Sequence, residues 1–416
     1  MKRFLIIGLA LLMAAVAFAA PAKLRILASY NHQMGETTKW EIVGEMLKRD
    51  YPGTVIEILV MDLSDGSNLT MAAQLAAGTP PNIYTDTTVR ASQYLRLDYA
   101  LPLDGLVRDL KKYKPGALDP YRRDGKLLAL PQAGSAQGMC INLDIMDEIG
   151  YTVPKNWTVD DFLVMAEKVK QKYGDKKWAT LMYAANQSGD YILNNWYAVF
   201  GVEWYGKGYD TAHVADNGGA KVYEFYQKLV KSGYVQPAAA TLKDFDGFTA
   251  WGRGQIAACA FFNNWASIYQ STAIKQKIID KPFNYTFVDF PRAPGVKKVP
   301  VYYTNDVIIV RKTGTSIDKV AARMAEYMNG PLMQGFDAVA GVIPTRVDAY
   351  FKNTDPHTAE IEAIIAGNGI QDVGLSDPRF TQRRGLQFPI LQKVLNFELT
   401  PEVAIKQFQD ALSAVK

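Results

Sequence analysis

From Leu24 onward, apolar and polar positions run in short alternating blocks. Leu24 to Ala28 is an apolar strand and Ser29 to Glu36 a polar loop. Trp40, Val43 and Leu47 then recur at helical spacing until Pro52-Gly53 stops the run. Val55 to Met61 is strand-like again, so the chain opens β-loop-α-β, which predicts a parallel α/β sheet rather than a helical bundle or a sandwich. Leu69 to Ala77 reads as a helix halted by Gly78-Thr79-Pro80-Pro81, followed by a short strand at Ile83-Tyr84 with the polar tip Thr85-Asp86-Thr87. Beyond an Asp124-Gly125 turn, Lys126 to Leu130 and Gly138 to Asn142 read as two strands interrupted by Pro131. Thr158 and Asp161 form a capping box for a helix over Asp160 to Lys172, with Phe162, Met165 and Val169 on one face. Tyr191 to Phe200 and Asp318 to Asn329 read as further helices, and Tyr285 to Phe290 and Val307 to Val310 as further strands. A last helix starts at Thr400, with Pro401 in its first turn.

The first residues depart from this pattern. Lys2-Arg3, the apolar run Phe4 to Phe18 and the small-residue site Ala17-Phe18-Ala19 read as a secretory signal peptide over residues 1–19. No cysteine stands near the junction to carry a lipid, and no later apolar run approaches the roughly 20 residues that span a bilayer. The mature chain is therefore expected in a bacterial periplasm. Composition (416 residues, 48% hydrophobic, 21% charged) excludes disorder, collagen and a disulfide scaffold. Without Lys2 and Arg3 the charges stand at 44 basic against 42 acidic, too even for a nucleic-acid binder. An oxidising compartment permits Cys140 and Cys259 to pair, and two buried thiols packing as small hydrophobes is the other reading.

Catalytic motifs are missing. His32, His213 and His357 are far apart, and there is no His-Glu-x-x-His, no phosphate-cradling glycine loop and no Gly-x-Ser-x-Gly. Neither a cofactor nor a resident metal is expected. Folding can still bring carboxylates together, which leaves a secreted carbohydrate hydrolase or lyase as a minor alternative to a binding protein. Ligands of open parallel sheets lie at the carboxyl ends of the strands, and this singles out Asn31 and His32 after the first strand and Thr85 and Asp86 after the third. The middle of the chain is rich in amides and aromatics, notably Asn194-Asn195-Trp196-Tyr197 and Asn263-Asn264-Trp265. A sugar offers an apolar C–H face and a ring of hydroxyls, and flat aromatics beside amides and carboxylates match both.

Six segments, in order, resemble the extracellular solute-binding proteins of ABC transporters, in the branch that takes maltose and oligosaccharides. They are Ala76-Ala77-Gly78-Thr79-Pro80-Pro81-Asn82-Ile83, Asp124-Gly125-Lys126-Leu127-Leu128-Ala129-Leu130-Pro131, and Cys140-Ile141-Asn142-Leu143-Asp144. The others are Pro154-Lys155-Asn156-Trp157-Thr158 with Phe162, Arg253-Gly254-Gln255-Ile256-Ala257 with Asn264-Trp265, and Gly341-Val342-Ile343-Pro344-Thr345-Arg346. Asn82 stands where the family usually has Asp, and Cys140 where it often has Tyr.

The resemblance implies the two-lobe periplasmic binding protein fold, each lobe an α/β sheet flanked by helices, with a ligand cleft between lobes. Residues 23–131 plus 305–343 would form the N-terminal lobe and 134–303 plus 344–416 the C-terminal lobe. Three crossings near Leu130 to Gly134, Tyr302 to Asn305 and Val342 to Arg346 would carry hinge closure. The implied partners are a carbohydrate and the permease subunits of an ABC importer, with the receptor itself a monomer. Trp265, at the strand end where relatives stack sugar, joins Asn31, His32, Thr85, Asp86, Trp196, Asn263, Tyr303 and Arg346 as the expected ligand-binding set. If the strand pleat persists, Asn263 and Asn264 point to opposite sides. Arg346 with Arg383-Arg384 would suit an acidic sugar. A ferric-ion receptor, using the phenolates of Tyr302 and Tyr303 together with a histidine, is the alternative binder.

Overall fold

The structure, a computed structural model, describes residues 23–29, 36–61, 67–206, 209–375, 377 and 379–416. The predicted opening is present: strand β1 (Lys23–Ser29), helix Glu36–Asp50 and strand β2 (Val55–Met61), with β1 and β2 parallel from Lys23↔Val55 to Ser29↔Met61. Trp40, Val43 and Leu47 face inward from that helix and are fully buried, as their spacing requires. Helix Ser67–Ala76 leads to β3 (Ile83–Thr87), which is parallel to β1. The Asp124-Gly125 turn has φ of 49° and 76° and closes a short hairpin, Arg122–Arg123 on Lys126–Leu127. Two successive positive φ values are what such a tight hairpin turn needs.

The two strands expected around Pro131 are one. Strand β4 (Leu130–Asn142) runs unbroken for 13 residues, every one of them buried. Its first half pairs antiparallel with the late strand β7 (Tyr303–Val310), from Leu130↔Ile308 to Ala136↔Tyr303. Its second half pairs with β5 (Ala258–Phe262) and β6 (Tyr285–Val288), also antiparallel. Because β7 also pairs with β3, the main path of the sheet is β2-β1-β3-β7-β4-β5. Pro131 is tolerated because the register with β7 shifts between Pro131 and Gly134, the kind of irregularity where a missing N–H costs little. Its carbonyl is taken by side chains instead, Asn329 Nδ2 at 2.8 Å and Thr345 Oγ1 at 2.8 Å.

Two large cores flank this shared strand. One gathers Leu24, Ile26, Trp40, Leu47, Ile83, Leu130, Val307 to Val310 and Met324. The other gathers Met139, Ile141, Trp157, Phe162, Trp196, Trp251, Phe261 and Phe408. We refer to these bodies as the N-terminal and C-terminal lobes. The capping box at Thr158 and Asp161 is formed and starts helix Val159–Tyr173 on the second core. Three chain passages meet where the lobes join: Gly134 and Ile343 exchange backbone hydrogen bonds at 2.8 Å each, and β7 lies alongside. Gly134 is required there, because a Cβ would collide with the Tyr303 phenol and with Asn305 Cβ. Among the described residues, no helix is long and apolar enough to cross a membrane.

Candidate functional site

A third, small cluster lies between the lobes. It joins Val89 of the N-terminal lobe to Tyr191, Phe262, Tyr302, Val373 and Phe380, with Trp265 packed against it. The short helix Thr88–Ala91 after β3 carries Val89 into this seam. Ser92 Oγ and Thr381 Oγ1 are hydrogen-bonded across it at 3.0 Å.

The aromatic rings form a continuous strip. Tyr302 lies 5.7 Å from Tyr191 and Tyr191 lies 5.6 Å from Phe262, centroid to centroid. Phe262 lies 6.0 Å from Trp265, whose ring stacks on Tyr269 at 6.1 Å. Tyr302 is fully buried, while Trp265 and Tyr269 are half-exposed, so the strip rises from the seam toward solvent. Phe248 braces Trp265 edge-on at 5.0 Å. Strand β5 ends at Phe262, and Asn263 already belongs to helix Asn263–Lys275; Trp265 therefore projects from a first helical turn and not from a strand end.

Each lobe brings one buried ion pair to the seam. Asp86, fully buried at the tip of β3, accepts from Tyr84 Oη at 2.9 Å, Thr87 N–H at 2.7 Å and Arg90 Nε at 2.8 Å. On the other side Asp190, first in helix Asp190–Val199, receives the Arg384 guanidinium through two bonds, one at 2.8 Å. Arg384 in turn lies over the Tyr191 ring, 5.1 Å from its centroid. Burial works against the Arg90 charge, but Asp86 and the neighbouring Tyr191 outweigh it and raise its pKa. Burial, with Asp190 and Tyr191 nearby, pushes the Tyr302 hydroxyl well above the usual phenol value. That hydroxyl is buried without a hydrogen-bond partner, as is Thr304 Oγ1. Asp244 stands within electrostatic reach of Tyr191 and Tyr269; burial raises its carboxyl above the ordinary value, against a bond from the Phe245 N–H.

The expected residues divide sharply. Asn31 and His32 lie outside the described residues. Thr85 and Asp86 sit at the end of β3 in the N-terminal lobe, both fully buried, with Thr85 Oγ1 donating to Gln132 Oε1 at 3.0 Å. Trp265 lines the strip. Trp196 does not: it is 1% exposed in the C-terminal core, 4.5 Å from Phe225 and 5.2 Å from Phe162. Asn263 is a tie between passages, donating to the Gly341 carbonyl at 2.6 Å and accepting from Ala136 N–H at 3.4 Å. Because the pleat ends at Phe262, Asn264 is buried too and does not oppose it as a strand neighbour would. Tyr303 leans on Gly134, on the face of β7 opposite Tyr302, so Tyr302 is the residue that meets the seam. Arg346 is consumed by Asp348, at 2.8 and 2.9 Å.

Two further expectations are corrected by the same geometry. An acidic-sugar clamp needs free guanidinium groups, yet Arg346 is bonded to Asp348, Arg383 to Asp377 and Arg384 to Asp190. A ferric site needs Tyr302 and Tyr303 to converge as phenolates; they point to opposite faces, and burial raises both hydroxyls. Tyr191, Asp190, Arg90, Phe262 and Tyr269 were not foreseen. Nothing local marks Asp190 and Arg384, 194 positions apart.

Two α/β bodies on a shared strand, with an aromatic seam between them, define a two-lobe binding protein. The chain belongs to the bacterial extracellular solute-binding proteins, whose family model matches residues 45–361. Solved structures share the fold. A chitin oligosaccharide binding protein superposes with a TM-score of 0.79 at 19% identity, covering 95% of this chain and 99% of that one. An ABC transporter solute-binding protein from Thermotoga lettingae, bound with α-D-tagatose, gives 0.78 at 16%, with 95% and 99% covered. Maltose-bound MalE3 of T. maritima gives 0.76 at 19%, with 94% and 99% covered. Among curated proteins no sequence matches this chain.

Proposed function

We propose that the protein is the monomeric periplasmic receptor of an ABC importer, and that it binds an uncharged carbohydrate, an oligosaccharide, in the seam between its lobes. The aromatic strip Tyr302–Tyr191–Phe262–Trp265–Tyr269 carries this reading. Its graded exposure offers successive rings an apolar face, while the flanking ion pairs, buried and bonded to each other, hold the strip in place. Asp86 with Arg90 and Asp190 with Arg384 are each neutral as a pair, so an uncharged ligand leaves the seam electrically balanced. The structural relatives bound to maltose and tagatose support the same class.

Binding would close the lobes about β4 and β7, because a ligand touching both lobes favours the state in which both contacts are made. The closed form is then what the membrane permease reads. In this role the protein returns its ligand unaltered, as a stoichiometric binder and not an enzyme. Titration calorimetry of the mature chain against neutral oligosaccharides, uronides and ferric salts tests the reading, with the recovered sugar checked for cleavage. One-to-one heat with a neutral oligosaccharide recovered intact is expected; heat only with ferric ion, or cleavage of the sugar, would overturn it.

A further inference from the structure

The chain has two cysteines, Cys140 and Cys259, and the proposed function uses neither. The fold sets them directly opposite each other on the antiparallel strands β4 and β5. Two residues along, Asn142 N–H donates to the Ala257 carbonyl at 2.8 Å, so the even-numbered backbone groups of β4 turn toward β5, in the phase of the hydrogen-bonded pairs, although the Ala257 N–H itself goes to Trp178. Such pairs recur every second residue, so Cys140 and Cys259 occupy one, where Cα atoms stand about 5.5 Å apart. That is inside the span of roughly 4.4 to 6.8 Å that a disulfide bridges. Opposed residues share a face of the sheet, so both side chains point into the same side of the C-terminal core.

Both are free thiols in the structure and fully buried. Among the described residues no third His, Cys, Asp or Glu joins them in a metal-binding group. Burial raises both thiol pKa values, which disfavours the thiolate that a nucleophile or ligand would need. A pair set opposite each other by strand register, in a member of an extracellular family, is placed for oxidation.

We propose that Cys140 and Cys259 are a disulfide-forming pair, oxidised as the chain folds outside the cytoplasm. Each thiol loses its hydrogen and one S–S bond forms. The two electrons and two protons pass to the disulfide of a thiol–disulfide oxidoreductase, which leaves as a dithiol. Exchange must precede closure of the sheet, since the finished core admits no partner. For the same reason the bond, once made, is shielded from reductants. Stapling β4 to β5 ties the strand shared by the two lobes to the C-terminal core.

The test uses the full mature chain secreted into an oxidising compartment and purified without reductant. Thiols are titrated in guanidinium before and after reduction, with the intact mass recorded. No thiol before reduction, two after it, and a mass lower by two hydrogens are expected. The oxidised protein should also melt several degrees above both its reduced form and the C140A/C259A variant. Two thiols titrating from unreduced protein would overturn the proposal, as would disulfide-linked dimers on a non-reducing gel. A melting temperature equal to that of C140A/C259A would overturn the stapling role. Because sugar titration reads the seam and thiol titration reads the core, failure of one leaves the other standing.

Discussion

Ser92 of the N-terminal lobe and Thr381 of the C-terminal lobe join hydroxyls at 3.0 Å across the seam, directly beside the buried Val89. Thr381 Oγ1 also reaches the Val89 carbonyl at 3.5 Å, so one side chain holds two contacts between lobes. Thr381→Val keeps the shape and removes both. Only the 3.0 Å bond lies within ordinary hydrogen-bond range, and a typical one contributes about 1 kcal/mol, so ligand affinity should fall roughly five-fold while the melting temperature of the free protein moves little. Calorimetry with small-angle scattering of the free protein checks this, the variant appearing more open; equal affinity would exclude a closing role for Thr381.

Trp265→Ala should weaken carbohydrate binding by about 2 kcal/mol or more, as expected of a central aromatic anchor. Its ring is half-exposed on the strip, whereas Trp196 is locked in the core. Trp196→Ala should instead cost stability, about 3 to 5 kcal/mol, and disturb affinity only through folding. Chemical denaturation beside calorimetry separates the two.

The Asp190–Arg384 pair has both partners almost wholly buried. Asp190→Ala strands a buried guanidinium and should cost about 3 to 5 kcal/mol. Replacing both partners, Asp190→Ala with Arg384→Met, should recover most of that loss because no charge is left unpaired. Urea denaturation of the two variants measures it; a double variant no better than the single would mean the cost comes from lost packing.

Gly134→Ala forces a methyl group into the space of the Tyr303 phenol. Overpacking of this kind costs about 1 to 3 kcal/mol, and Tyr303→Leu in the same chain should relieve only part of it, because the clash with Asn305 Cβ remains. Denaturation midpoints of the single and double variants give the answer.

Burial raises the Asp244 carboxyl above its ordinary value, so the folded protein holds that proton more tightly than the unfolded chain does. The group's contribution to stability is then fully present below the unfolded pKa and is lost as pH rises through the folded one. Asp244→Asn removes this loss. It should raise the melting temperature at pH 7, with the gain shrinking to nothing near about pH 3. A scan of melting temperature against pH would reject the assignment if the gain were the same at both ends.

Local signals carried far in this chain. The capping box at Thr158 and Asp161, the buried stripe Trp40-Val43-Leu47 and the parallel opening are all properties of neighbouring residues, and all are formed. Trp196 was misplaced because helix Asp190–Val199 is buried on every side, so periodicity could not tell a seam-facing ring from a core one. Asn263 was misplaced because the change from strand to helix at Phe262 has no proline or glycine to announce it. The carboxylates of Arg346 and Arg383 stand close by in sequence, at Asp348 and Asp377, whereas that of Arg384 is brought by folding from 194 positions away.

Strand β7 is the late partner of both β3 and β4. A nascent chain cut anywhere before Tyr303 therefore has β3 paired on one side only, and the first half of β4 without its neighbour. Contacts of such long sequence separation make folding slow. The N-terminal lobe, first to be synthesised, cannot complete its sheet until Val310 has been made.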